Sequence, residues 1–213
     1  MEKKAEITVA EKSLGAIEGG ELKEFTLSNE AANFRLSFLN LGGIITRVET
    51  PDRAGAQRDV ILGFEDPVDY SRRPHPYFNG IVGRFAGRIE GAAFSVGEET
   101  YQLTKNPSGL ILHSGSRCTI HKLWDCEVVD TAAGGRGVRL TIAEPDGTEG
   151  FPGAMQFTAT YSLQPGAQGV FVKEFEAQTD KSTAVNITTH EYWNLAGAAS
   201  EDAVKEGVSG HSL

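Results

Sequence analysis

Apolar side chains in this chain fall at alternate positions or in short β-branched runs, and no segment keeps a 3.6-residue apolar period for three helical turns. Phe34-Arg35-Leu36-Ser37-Phe38 alternates, Gly42-Gly43 punctuates, and Ile44-Ile45-Thr46-Arg47-Val48 follows, a pattern that predicts a hairpin. Residues 59–64 read as a buried strand, and residues 94–103 as the clearest hairpin, with Gly97 in its turn. Further strands are predicted over 124–129, 138–142, 157–161 and 171–176, separated by Gly134-Gly135, Asp146-Gly147, Pro152-Gly153 and Pro165-Gly166. Residues 1–30 mix charges, glycines and short apolar runs, and predict loose strands at an edge with no chemistry. Between 71 and 77, Pro74 and Pro76 remove donors and restrict their neighbours, so this stretch is expected to be an irregular surface loop. Strands joined by hairpin-length turns, without a βαβ rhythm, predict an all-β fold. Large antiparallel sheets would pack face to face as a β-sandwich, one domain over 1–213 with a continuous core and no linker.

The chemistry concentrates in Asn186-Ile187-Thr188-Thr189-His190-Glu191-Tyr192-Trp193-Asn194-Leu195, which sets hydrogen-bonding side chains and aromatics on strand-like sequence. Histidine is the only side chain whose ordinary pKa lies close to neutrality, which makes His190 a candidate proton donor or acceptor. Tyr192 and Trp193 offer flat faces suited to a sugar ring, and Tyr192, Glu191 and Asn194 can meet hydroxyl groups. Taken alone, a histidine in an aromatic strand is more often structural than catalytic. The block from Gly80 to Gly91 pairs glycines with Arg84 and Arg88, yet lacks both the Lys-Ser/Thr ending of a P-loop and the spacing of a dinucleotide fingerprint. Nucleotide binding is therefore rejected, and a solvated or structural arginine stands beside one that grips hydroxyls with its fixed fork of donors. Leu110-Ile111-Leu112-His113-Ser114-Gly115 delivers a histidine from an apolar run into a small-residue loop, a placement suited to a ligand contact. His121 lacks that setting.

Composition narrows the partners. The chain has 213 residues, 39% of them hydrophobic, with 29 acidic against 20 basic side chains for a net charge of −9. That balance disfavours nucleic acid and anionic membrane surfaces and suits a neutral small molecule. No apolar run reaches signal-peptide or membrane-spanning length, so a cytoplasmic location with no membrane association is expected. Cys118 and Cys126 are in no metal-ligand spacing, so no metal is predicted and reduced thiols are the default. The sequon at Asn186 is set aside as strand sequence in a chain read as non-secreted.

Four motifs together resemble the aldose 1-epimerase family, the galactose mutarotases. They are Gly83-Arg84-Phe85-Ala86-Gly87-Arg88-Ile89, Leu112-His113-Ser114-Gly115, the stretch from Asp146 to Gly153, and the stretch from Val185 to Gly197; they occur in the family's order, with similarity from about Phe34 onward. The resemblance implies a large "supersandwich" enzyme that interconverts the α and β anomers of free hexoses such as galactose and glucose, without a cofactor. It implies ring opening in which a carboxylate takes the anomeric hydroxyl proton while a histidine protonates the ring oxygen. Carried over by motif, His190 is that acid, Arg88 and His113 bind the sugar, and Tyr192 lies beside them.

The chain departs from the family's pattern in two places. Gly87 stands where asparagine is frequent, so a side-chain contact at this substrate-binding position is missing. Thr188-Thr189-His190-Glu191-Tyr192-Trp193-Asn194 replaces the family's Thr-Asn-His-Ser-Tyr-Phe-Asn, changing polarity and bulk without removing the acid. Family members also continue beyond Leu213, and their catalytic glutamate and a sugar-binding aspartate lie in that continuation. Neither Glu149 nor Glu191 sits in the base motif, so no base is assigned. The sequence is thus expected to be C-terminally incomplete, stopping as a strand begins at Ser212-Leu213 and leaving sheet edges and apolar surface open. A monomer or homodimer is expected, and the alternative function is carbohydrate binding without turnover.

Overall fold

The computed structural model describes residues 6–132, 134–198, 205, 209 and 211. Strands β1 (Ile7–Ile17), β2 (Gly20–Asn29), β3 (Phe34–Leu39), β4 (Ile45–Pro51) and β5 (Gln57–Asp59) form one antiparallel sheet in that order. The expectation of loose strands before residue 30 is therefore corrected: β1 pairs with β2 from Ile7↔Asn29 to Ile17↔Gly20, and β2 lies inside the sheet. The charges and glycines of this region sit on exposed or half-buried positions while Leu22, Phe25 and Leu27 are buried, so polar composition masked a regular strand.

A single helical turn, α1 (Asp69–Arg72), precedes the proline-rich loop. Short strands follow: β6 (Ile81–Val82), β7 (Arg88–Ile89), β8 (Ala93–Val96), β9 (Glu99–Gln102) and β10 (Ile111–Leu112), with β8 and β9 forming the expected hairpin and β10 pairing with β7. The second large sheet is β11 (Asp125–Asp130), β12 (Arg136–Glu144), β13 (Met155–Leu163) and β14 (Phe171–Thr179), antiparallel in chain order. Last, β15 (Thr188–Thr189) returns to pair with β6. The strand expected at Ser212-Leu213 lies outside the described residues. No helix among the described residues is long and apolar enough to cross a membrane.

The two sheets face each other. Phe25, Leu27, Leu36 and Phe38 from the first share one buried cluster with Val138, Leu140, Phe157, Ala159 and Tyr161 from the second. Each valine, leucine or phenylalanine side chain so removed from water contributes roughly 1.5–3 kcal/mol. The Phe38 and Tyr161 rings meet edge to face at 5.1 Å, and the buried Tyr161 hydroxyl donates to the Gly43 carbonyl at 3.2 Å. Asn29 ties the sheets at one end, its amide donating to Gln164 and Gly166 carbonyls at 3.1 and 3.0 Å. β14 differs from its neighbours: it has a strand partner on one side only among the described residues, and Phe175 is 40% exposed.

A second cluster, including Leu39, Leu41, Ile44, Val82 and Ile120, lies under the loops at one end of the sandwich. Gly42 permits that packing. Its φ of +60° is left-handed, and a Cβ there would stand 2.3 Å from the Ile120 carbonyl oxygen.

The two arginines of the glycine-rich block part company. Arg84 is 1% exposed and donates through Nη1 to the Pro152 and Gly153 carbonyls at 2.9 and 2.8 Å. Its Nε stands 3.5 Å from Glu144 Oε2, and the other oxygen of that buried carboxylate takes Lys122 Nζ at 2.5 Å. Removing one partner of a buried ion pair strands the other charge away from water. Glu144→Gln should therefore lower the unfolding free energy by about 3–5 kcal/mol. Urea denaturation followed by the fluorescence of the buried Trp124 measures it, and a loss below about 1 kcal/mol would show that Lys122 and the loop carbonyls suffice to hold Arg84.

Candidate active site

The 186–194 segment is built less as a strand than as a strip fastened at many points. Thr188 and Thr189 pair with Val82 and Ile81, Ala86 N–H donates to the Asn186 carbonyl at 2.7 Å, and the Asn186 amide donates to the Ala86 carbonyl at 3.0 Å. On the other side, Leu62 N–H reaches the Tyr192 carbonyl at 2.8 Å and Asn194 N–H the Val60 carbonyl at 2.9 Å. Residues 59–64, expected as a buried strand, are accordingly corrected: β5 ends at Asp59, Val60 and Ile61 are buried, Leu62 is exposed, and only the bridge Ile61↔Trp193 is sheet-like. Their β-branched sequence serves an extended brace between the first sheet and this strip.

Asn79 fixes the strip in register. It is fully buried, with a left-handed φ of 55° that asparagine tolerates better than most residues. Its N–H donates to the His190 carbonyl at 2.9 Å, its carbonyl accepts from Ile45 at 3.1 Å, its amide donates to the Leu62 carbonyl at 2.8 Å, and its Oδ1 accepts the Tyr192 N–H at 2.9 Å. His190 is further held by its own N–H, which donates to Gly80 at 3.0 Å.

His113 arrives from β10. Its N–H donates to the Gly87 carbonyl at 2.8 Å, and the Gly87 N–H donates back to His113 Nδ1 at 3.0 Å. An imidazole that accepts at Nδ1 carries its proton on Nε2, so the other edge is a donor. His113 and Ser114 both have left-handed φ, 50° and 61°, a conformation costing roughly 1–2 kcal/mol per residue. It is offset locally by the Gly87 pair and by Phe85 N–H donating to Ser114 Oγ at 2.6 Å. Burial, then the neighbouring His190, then Arg88, hold the His113 imidazole below its ordinary value and keep it neutral near pH 7.

The residues singled out in the sequence thus converge. The His113 and His190 rings lie 5.4 Å apart, edge to face, and Tyr192 lies nearly parallel to His190 at 5.2 Å. Arg88, exposed, is opposite Leu112 in the β7–β10 pair and close enough for its charge to act on His113. Gly87 acts through its backbone on His113; with φ +97° and open space where a Cβ would point, it crowds nothing. The Tyr192 hydroxyl is already committed, donating to the Pro76 carbonyl at 2.9 Å. Both carboxylates considered for a base have partners. Glu149 accepts from Ser116 Oγ and Arg117 N–H at 3.0 and 2.8 Å, while Glu191 meets Lys173 Nζ, which also donates to Thr189 Oγ1. Burial pushes the Glu149 carboxyl up, but hydrogen bonds from Thr104, Arg117 and Ser116 outweigh it and leave the group below its usual range.

Three neighbours were missed from the sequence. Tyr77 lies 4.6 Å from the His113 ring and 6.1 Å from those of His190 and His121, and His121 is 6.3 Å from His75. The setting denied to His121 is thus supplied by the fold. His75 and Tyr77 were read only as proline-loop surface, whereas His75 Nδ1 accepts the Phe78 N–H at 3.2 Å and its ring stacks on Phe78. The one available signal was Asn79-Gly80, a turn dipeptide closing that loop.

The chain has known relatives in sequence and in fold. Residues 23–212 match the family described as aldose 1-epimerase. The chain is 35% identical over 190 residues to the galactose mutarotase of Sus scrofa, covering 89% of this chain and 52% of that protein. It is 36% identical over 182 residues to the galactose mutarotase of Homo sapiens, covering 85% of this chain and 50% of that one. Among solved structures, a galactose 1-epimerase from Lactobacillus acidophilus NCFM superposes with a TM-score of 0.78 at 29% identity, over 89% of this chain and 54% of that one. The chain spans about half the length of the curated relatives it matches.

Two outcomes test the geometry. Asn79→Ala leaves the Leu62 carbonyl and the Tyr192 N–H without their partner, and should cost about 2–4 kcal/mol in urea unfolding, with loss of hydrogen-exchange protection at Tyr192. Retained protection would show that the strip holds without this amide. His75 and His113 both sit below their ordinary 6.5, chiefly through burial. Between those lowered values and 6.5 the unfolded chain binds protons that the folded chain refuses. Stability is therefore full above about pH 6.5 and falls as the pH drops through that window. Tm should decline as the pH falls below about 6.5, less steeply in His113→Gln; equal slopes would remove His113 from the account.

Proposed function

The chain belongs to the aldose 1-epimerase family, and on that premise we propose that its site binds a free hexose and promotes exchange between the sugar's α and β anomers. The observation that carries the reading is the meeting of His190, His113 and Arg88, drawn from three separate motifs, with the two imidazoles 5.4 Å apart. In this reading protonated His190 gives its proton to the ring oxygen while a carboxylate removes the anomeric hydroxyl proton. The C1–O5 bond opens, C1–C2 rotates, and re-closure reverses the transfers. One side chain cannot serve both oxygens in a single step, so acid and base must face each other across the ring. His113 presents Nε2–H and Arg88 its fork of donors to hydroxyl oxygens. Tyr192 flanks His190 with its ring face. No step calls for a cofactor, and the base is left unassigned: neither Glu149 nor Glu191 lies in the family's base motif, and both are engaged by the protein.

That engagement favours a second reading, in which the chain as given binds the sugar without turning it over. Polarimetry on freshly dissolved α-galactose separates the two. Decay of rotation faster than buffer, lowered about 10²–10⁴-fold in His190→Ala, supports the epimerase. A rise in Tm with galactose that Arg88→Ala abolishes, without any change in the decay, supports the binder. Neither effect in the intact chain would reject both.

A further inference from the structure

Tyr77 has no part in the reaction as written above, yet it stands where the ring contacts meet. Its φ is 58°, a left-handed conformation that a bulky aromatic rarely adopts and that persists only where surroundings impose it. Those surroundings are specific. The Tyr77 N–H donates to the His75 carbonyl at 2.9 Å, and the Pro76 carbonyl, on the peptide leading into Tyr77, accepts the Tyr192 hydroxyl at 2.9 Å. Two residues on, Asn79 joins the same strip through His190 and Tyr192. The loop 75–79 is thus clipped to residues 190–192 on both sides of Tyr77. Held so, its ring lies edge-on to His113 at 4.6 Å and 62°, and nearly parallel to His190 at 6.1 Å and 27°.

We propose that Tyr77, clamped by the Tyr192 hydroxyl through the Pro76 carbonyl, is a positioning residue of the hexose site: its ring fixes the His113 and His190 imidazoles edge to face and shields His113 from water. The inference rests on the sugar-site reading for its purpose but on the clamp for its geometry. It gives the Tyr192 hydroxyl a structural duty instead of a contact with sugar. It also places the Tyr77 ring closer to the His113 imidazole, at 4.6 Å, than the His190 ring at 5.4 Å. A proton donor displaced by about 1 Å loses on the order of 10²-fold in rate, so loss of the wall should appear in kcat far more than in KM.

The test uses Tyr77→Gly, which accepts the left-handed backbone while deleting the ring, together with Tyr77→Phe and Tyr192→Phe. Proton NMR titration of the histidine Cε1–H signals and the kinetics of anomer exchange are read on each. In Tyr77→Gly the His113 midpoint should rise toward its ordinary 6.5, and kcat should fall about 10- to 100-fold with KM changing less than about threefold. Tyr192→Phe should move both in the same direction by less, and Tyr77→Phe should recover most of what glycine loses. A His113 titration in Tyr77→Gly that matches the intact chain overturns the proposal, as does a variant that loses only Tm. If the intact chain does not exchange anomers, the reaction reading fails while the titration, which needs no turnover, still decides the role of Tyr77. Should the glycine variant not fold, Tyr192→Phe decides it by the same titration.

Discussion

The site depends on one buried amide. Asn79 has no access to water, so every polar atom it carries must be met inside the protein, and each unmet group would cost about 1–3 kcal/mol. Its partners belong to three segments distant in sequence: Ile45 at the start of β4, Leu62 in the brace, and His190 with Tyr192 in the strip. Because these bonds are directional, they fix the strip's register as well as its attachment. A slip of one residue would leave the Asn79 side chain unsatisfied and carry His190 away from His113.

The sandwich makes that amide dry. Inward residues of the two sheets fill one cluster, and the second cluster continues it under the loops at Leu41, Ile44, Val82 and Ile120. Gly42 brings the 118–122 segment down onto that cluster, and Arg84 reaches through the interior to hold the carbonyls of Pro152 and Gly153. The glycine-rich block is therefore divided in labour over four residues. Arg84 stitches the scaffold from within, and Arg88, past the left-handed Gly87, turns out to the rim beside His113.

Much of this was legible in the sequence where one local rule dominates. Period-two alternation located β3, β8, β9, β12 and β13, because a strand with one buried face must write that face into every second residue, and it located β14 although that strand buries no face among the described residues. It failed for β1 and β2, whose exposed and half-buried positions carry the charges, and for 60–64, where an apolar run past the end of β5 braces two segments through one isolated bridge. His190, His113, Arg88 and Gly87 were found through their motifs. Tyr77, His75 and His121 were not, since their proximity is created by a loop whose path is set by Asn79 and by the Tyr192 hydroxyl, neither of which leaves a periodic trace.

The pairing of two imidazoles has a consequence of its own. At 5.4 Å between ring centres, two positive charges would repel by about 1–3 kcal/mol between the limits of water and a protein surface. The exposed Arg88 adds to the cost of a charge on His113, while the Gly87 N–H occupies the one His113 nitrogen that would have to become a donor. A second proton on His113 must therefore break a backbone hydrogen bond as well as face two positive neighbours. The backbone thus commits His113 to the tautomer with its proton on Nε2, whereas His190 has no ring hydrogen bond among the described residues.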